Sequence, residues 1–237
     1  MDEQYIWLFW ATAFLIPWLI LYGWFPRYRA VMFRMSLITM LFGLTEPLFV
    51  PEYWSPPSLF NLAIKTGFDL ESLIFCFGIG GVGAVFYNIV SGRNLYPVSP
   101  WERHHAVHRY HLLAISIPFI VFPILAVMAP WNIIYTAIIA MVAGGIANSL
   151  CRRDLALKSL IGSALFLAYY TVFIVGLEWL APGYIERVWN LAVLSELFVF
   201  GIPIEEMLFA ASFGYYWTGL YEHISWQKDT PAVPSAV

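Results

Sequence analysis

The chain has 237 residues, of which 61% are hydrophobic and 11% charged, with a net charge of −3 at neutral pH. A soluble domain carries about 25% charged residues, so the composition excludes a water-soluble globule and points to a membrane. No basic patch with interleaved aromatics is present, which excludes nucleic acid as a partner.

Apolar runs near the roughly 20 residues that cross a bilayer occupy 6–24, 31–50, 70–91, 111–129, 131–150, 158–180 and 203–221. Lipid leaves only helices and closed barrels as spanning structures, and barrels need short alternating segments. These runs are long and continuous, so the expected fold is all-α and integral to the membrane, with seven transmembrane helices. The first run is flanked by Asp2 and Glu3 and lacks a basic start and a small-residue cleavage site. It reads as a span, not a cleaved signal. The Pro-rich stretch 51–57 and the segment 181–201 are expected outer loops, 92–110 the largest inner connection, and 228–237 a polar tail.

Lysine and arginine set the orientation. With the N-terminus outside, the inner side holds Arg27, Arg29, Arg34, Arg93, Arg103, Arg109, Arg152, Arg153, Lys158 and Lys228, and the outer side only Lys65 and Arg187. The expected protein is multi-pass in the cell (inner) membrane, with a cytoplasmic C-terminus.

Two segments look like copies. Aligning Glu71 with Glu205 also matches Phe75 with Phe209, Gly80 with Gly214 and Tyr87 with Tyr221 without a gap, and Glu46 answers more loosely to Glu178. Spans 1–3 and 5–7 then form two parallel three-helix repeats, with span 4 as the bridging helix that restores direction. The corresponding domains are 1–91, the inner loop and bridge 92–130, the second repeat 131–223 and the tail 224–237. Gly78, Gly80, Gly81 and Gly83, like Gly144 and Gly145, suit close helix approach. Gly78-x-Gly80-x-x-Gly83 fits a dinucleotide fingerprint by letters, but it lies inside a span where that fingerprint needs a strand, a turn and a helix.

Other signals give way on context. On a helix His104, His108 and His111 share a face, which suits a metal. Against that, Arg103 and Arg109 among them suit a basic interfacial loop, so no metal is expected. Topology keeps Cys76 and Cys151 apart, so no disulfide is expected. A retinal protein needs a lysine within the last span, yet the lysines are Lys65, Lys158 and Lys228, all expected in loops or at helix ends.

The carboxylates remain. A glutamate is costly in hydrocarbon and persists where it is paired or used. Glu71 and Glu205 fall in the first turns of their helices, where they complement the helix macrodipole. Pro203 sits as an early helical residue. Glu205 and Glu206 are adjacent like charges, an arrangement that tends to keep one protonated, and a carboxyl held protonated in an apolar site is a general acid in waiting. Glu46 and Glu178 are expected at the same outer level.

Pro203-Ile204-Glu205-Glu206-Met207-Leu208-Phe209 resembles the P-x-E-E-x-x-F signature of the lycopene cyclase domain, the membrane-integral, non-Rossmann carotenoid cyclase family. Arg152-Arg153-Asp154 resembles that family's basic entry to its next helix. The resemblance covers 1–91 and about 131–223. In the first copy Asp69 replaces the proline and Ser72 the second glutamate, which favours the second half as the acid.

The resemblance implies an isomerase. An acid protonates the terminal double bond of lycopene or a related acyclic carotenoid, the neighbouring double bond closes a six-membered ring on the cation, and a base removes a proton. Nothing is oxidised, so no cofactor is implied. Glu205 or Glu206 would be the acid, Glu71 the facing base or cation stabiliser, and Glu46 and Glu178 their support. Phe75, Phe209, Phe213, Tyr216 and Trp217 would shelter the polyene and its cation. The expected partners are a lipophilic polyene taken from the bilayer and membrane lipid. Family members occur as heterodimers or fused chains, so a second copy or other carotenoid enzymes stand as candidate protein partners. Two alternatives stay open: water addition to the same cation, and a non-catalytic carotenoid- or lipid-binding or transport role.

Overall fold

The computed structural model describes residues 2–230 of the chain, so most of the predicted tail, residues 231–237, lies outside the described residues. The first span is built from α1 (Glu3–Ala13) and α2 (Leu15–Trp24), which meet at Phe14. Pro17 lacks the N–H that would bond the Ala13 carbonyl, which accounts for the break. The second span is α3 (Arg29–Met40), continued by a 3-10 stretch, Leu41–Leu48, that contains Pro47. After the short helix α4 (Leu62–Thr66), the Asp69 side chain accepts the Ser72 N–H at 2.6 Å and caps α5 (Leu70–Ser91). Gly92 closes α5 in the left-handed region at φ 66°, where a side chain is disfavoured.

Strand β1 (Asn94–Pro97) and the helical turn α6 (Pro100–Arg103) lead to α7 (His111–Met128), α8 (Ile133–Cys151) and α9 (Arg153–Leu180). The chain then passes through α10 (Tyr184–Val188) and the small hairpin of β2 (Phe198–Val199) with β3 (Ile202–Pro203). Last come α11 (Ile204–Trp217), α12 (Leu220–Ser225) and β4 (Gln227–Thr230).

Among the described residues, six helical stretches are long and apolar enough to cross a membrane: Glu3–Trp24, Pro26–Leu48, Leu70–Ser91, His108–Met128, Ile133–Cys151 and Arg153–Leu180. The predicted seventh run, 203–221, is divided. It holds α11, a turn at Thr218–Gly219 and the start of α12, so its unbroken helix has 14 residues. Pro203 precedes the helix as its N-cap instead of lying within it.

Helix α5 packs chiefly on α3, while α11 packs on α9 and α8, and α7 leans on α8. The glycines make these contacts close. A Cβ on Gly80 would overlap the Thr39 side chain of α3, one on Gly81 would meet Ser36 and Trp18, and one on Gly145 would meet the Tyr215 ring. The glycine fingerprint of α5 is thus a packing surface.

The connections gather at two ends. At one end the Ser55 N–H donates to the Val188 carbonyl at 2.8 Å, the Asn190 N–H to Tyr53 at 2.9 Å, and the Asn132 amide to Glu52 at 3.0 Å. At the other end β1 pairs antiparallel with β4, and Arg152 donates to the Gln227 carbonyl at 2.8 Å.

Two expectations are corrected here. Lys158 is not in a loop or at the end of its helix: it lies in the second turn of α9, buried and ion-paired with Glu222 of α12, with Asn88 of α5 as a second partner. Nor do His104, His108 and His111 share one helix face. Helix α6 stops at Arg103, a 3-10 turn spans Ala106–Tyr110, and His111 opens α7.

Candidate active site

Between the two sets of helices lies a cavity of about 560 Å³, within the roughly 300–1,000 Å³ typical of small-molecule sites. Its wall is mainly aromatic and aliphatic, and Glu46 and Glu206 are the two carboxylates that reach it. Phe75, Phe209, Phe213, Tyr216 and Trp217, the predicted aromatic shelter, all line it. Along α11 the rings of Phe209, Phe213 and Trp217 form a ladder with centroids 6.1 and 5.4 Å apart. Tyr170 from α9 joins its top, 5.9 Å from Phe209 and 6.3 Å from Phe75. Spacing of i, i+4, i+8 puts the α11 ladder on one face.

Glu206 stands in the first turn of that helix and is 4% exposed. Its carboxyl accepts from Tyr53 and Trp189 Nε1 (2.7 Å) on Oε1 and from Tyr170 Oη (2.5 Å) on Oε2. All three are donors, which is the set a carboxylate asks for. Tyr53 lies in the loop after the second span, where burial and then the Glu206 charge push its phenol well above the ordinary range. It therefore keeps the proton it donates.

Glu46, in the 3-10 end of the second span, is 7% exposed. Its Oε1 has no hydrogen-bond partner among the described residues. The two cavity carboxyls thus differ in kind: Glu206 is held by three donors, whereas Glu46 Oε1 is buried without a hydrogen-bond partner among the described residues.

The remaining predicted glutamates are not brought to the cavity wall. Glu205 accepts from Tyr135 Oη at 2.5 Å and the Ser195 N–H at 2.9 Å. Glu71 accepts the Leu59 N–H at 2.8 Å. Glu178 accepts the Gly183 N–H at 2.5 Å and the Ile185 N–H at 3.1 Å. Each holds a connecting segment to a helix end. Glu71 and Glu205 do so alike, each receiving one backbone N–H from the segment that precedes its helix.

Sequence reasoning missed Tyr53, Tyr170 and Trp189. Tyr170 was accessible in principle, since Phe166, Tyr170 and Ile174 form an i, i+4, i+8 stripe buried in α9. Tyr53 and Trp189 sit in loops, where no periodicity signals an inward side chain. They are brought together by the Trp54–Trp189 bridge.

The cavity reaches the surface of the bundle sideways. Leu48 and Phe119 both line it, yet they are 50% and 55% exposed. They flank a seam between the second span and α7, crossed by ring contacts of Phe42 with Phe119 at 5.9 Å and Phe49 with Phe122 at 6.4 Å. Pro118 and Pro123 of α7 face the same cavity.

Residues 132–224 match the model of the lycopene cyclase family. No curated protein and no solved structure matches the chain.

Proposed function

From the premise that residues 132–224 carry a lycopene cyclase domain in a membrane protein, we propose that the chain closes a ring at the end of an acyclic carotenoid such as lycopene. The observation that carries this reading is the pair of unlike carboxyls on one aromatic cavity. Glu46, without a competing partner on Oε1, donates a proton to the terminal double bond. The adjacent double bond attacks the tertiary cation and closes a six-membered ring. Glu206, held as an acceptor by Tyr53, Tyr170 and Trp189, stabilises the cation and takes up the proton lost when the ring double bond forms. One proton enters and one leaves, so the product is an isomer and the step needs no oxidant. Regeneration moves the proton from Glu206 back to Glu46.

The ring ladder supports the cation through the faces of Phe209, Phe213 and Trp217, an interaction worth about 0.5–2 kcal/mol per contact. An apolar wall also disfavours water, and that favours ring closure over water addition to the same cation. The polyene enters from lipid through the seam beside Leu48 and Phe119. The seven-span arrangement, with α11 completing the second repeat and the N-terminus outside, belongs to this proposal.

Expression in a lycopene-accumulating host tests it directly. Chromatography of the pigments should show cyclic ends, with hydroxylated acyclic ends pointing to water addition and unchanged lycopene to a binding or transport role. The same conversion by detergent-purified protein should proceed without added flavin or nicotinamide.

A further inference from the structure

At the end of the bundle opposite the loop of Tyr53, three side chains from separate elements converge. His108 comes from the 3-10 turn, His111 from the first residue of α7, and Cys151 from the last residue of α8. Cys151 Sγ lies 3.6 Å from His108 Nδ1 and 3.7 Å from His111 Nδ1, and one donor atom from each residue falls within 4.8 Å of the others. A tetrahedral ion about 2.3 Å from sulfur and about 2.0–2.1 Å from nitrogen holds those two atoms about 3.6 Å apart.

The surroundings suit an ion in four ways. His111 Nε2 is 2.9 Å from the His223 carbonyl. A carbonyl only accepts, so that nitrogen carries the proton and leaves the Nδ1 lone pair facing Cys151. The ring of His111 is also clamped, stacked on Trp226 at 3.9 Å. Next to it, 4.2 Å between centroids, stands the His223 ring. It is 1% exposed, and neither ring nitrogen has a hydrogen-bond partner among the described residues. The neighbouring cation Arg152 is tied to Asp154 by two contacts of 2.6 and 2.9 Å, which offsets its charge.

We propose that His108, His111 and Cys151 form a zinc site that fastens the inner connection and the start of α7 to the end of α8. The mixed nitrogen and sulfur donors select a borderline-soft ion over magnesium or calcium, which take oxygen ligands. Cys151 binds as the thiolate and releases its proton, and the fourth position is left to water or a small anion. This site is remote from the carboxylates of the cavity and independent of the reading given for them.

The test uses the full-length protein in detergent, expressed with zinc supplied and kept reduced. Metal analysis should give roughly one zinc per chain. Exchange with cobalt should give a cobalt–thiolate charge-transfer band. Cys151→Ser should abolish that band, and His111→Ala should weaken zinc binding at least about tenfold. His104→Ala should leave both unchanged, because His104 Nδ1 is engaged at 2.7 Å with the Pro100 carbonyl instead. Wild-type protein that holds no zinc and shows no thiolate band on cobalt titration overturns the proposal. That measurement does not depend on any variant folding. A band that persists in Cys151→Ser overturns it equally.

Discussion

Glu205 and Glu206 are neighbours in sequence and strangers in chemistry. About 100° of helix rotation separates them. One is turned to Tyr135 and a backbone N–H, and the other to the cavity and three donors. Replacement of Glu206 or Glu46 by Gln keeps the shape and removes the titratable carboxyl. Either variant should lose about 10²-fold or more in turnover while remaining folded. Glu205→Gln should act mainly on stability, because it weakens a tie between α11 and its preceding loop. Tyr170→Phe removes one of three donors to a charged acceptor, worth about 1.5–3 kcal/mol, and should slow the reaction by about tenfold or more. Single-turnover rates on purified variants, with circular dichroism as the folding control, check all four. Equal rates for Glu206→Gln and wild type would remove the carboxylate from the mechanism.

At the scale of elements, close approach governs. Helix α5 meets α3 through glycines that leave no room for a methyl group at Gly80, whereas a Cβ on Gly23 of α2 meets nothing within 4 Å. Gly80→Ala should therefore destabilise the protein by about 1–3 kcal/mol through overpacking. Gly23→Ala should be neutral or raise stability by up to about 1 kcal/mol through helix propensity. Thermal unfolding in detergent should shift in opposite directions for the two, and a common shift would contradict the packing read from α5.

The same scale shows what the sequence could tell. Six spans were legible because continuous apolar runs have one physical reading in lipid. The division of the run 203–221 was not, since Thr218 and Gly219 break a helix only in the context of what surrounds them. That Phe209, Phe213, Tyr216 and Trp217 share one helix was legible, whereas their place on the cavity wall was not. The different partners of Glu205 and Glu206, and the donors Tyr53 and Trp189, depended on contacts between separate segments, Tyr53 lying 153 positions from Glu206 and 136 from Trp189, which no local pattern encodes. The histidines misled for a like reason: His104 follows the end of α6, His108 lies in a 3-10 turn and His111 opens α7, so one assumed helix did not describe them.

Across the whole molecule, the placing of the basic side chains bears on the proposed topology. Arg27, Arg93, Arg103, Arg152, Arg153 and Lys228 lie in or beside the segments that gather around β1 and β4, the end expected to face the cytoplasm. Reporter fusions after residues 100 and 228 should both read as cytoplasmic, and one near residue 57 as external. An external signal at residue 228 with the same signal at 57 would leave an even number of crossings and remove α11 from the count of spans. Helices α5, α9 and α12 are also tied inside that end, where Lys158 of α9 meets Glu222 of α12 and Asn88 of α5. A buried pair of this kind is costly to break on one side only.

The sideways seam beside Leu48 and Phe119 has a kinetic consequence. Under the proposed reaction a symmetric polyene offers identical chemistry at both termini, and entry through this seam would admit one terminus per visit. The second terminus must wait for release, reversal in the bilayer and re-entry. Singly ringed pigment should thus appear first and the doubly ringed form only after a lag, with the lag lengthening as acyclic pigment is raised to compete for the portal. A time course in liposomes reads this out, and doubly ringed product without a lag would mean that both termini are served in one encounter.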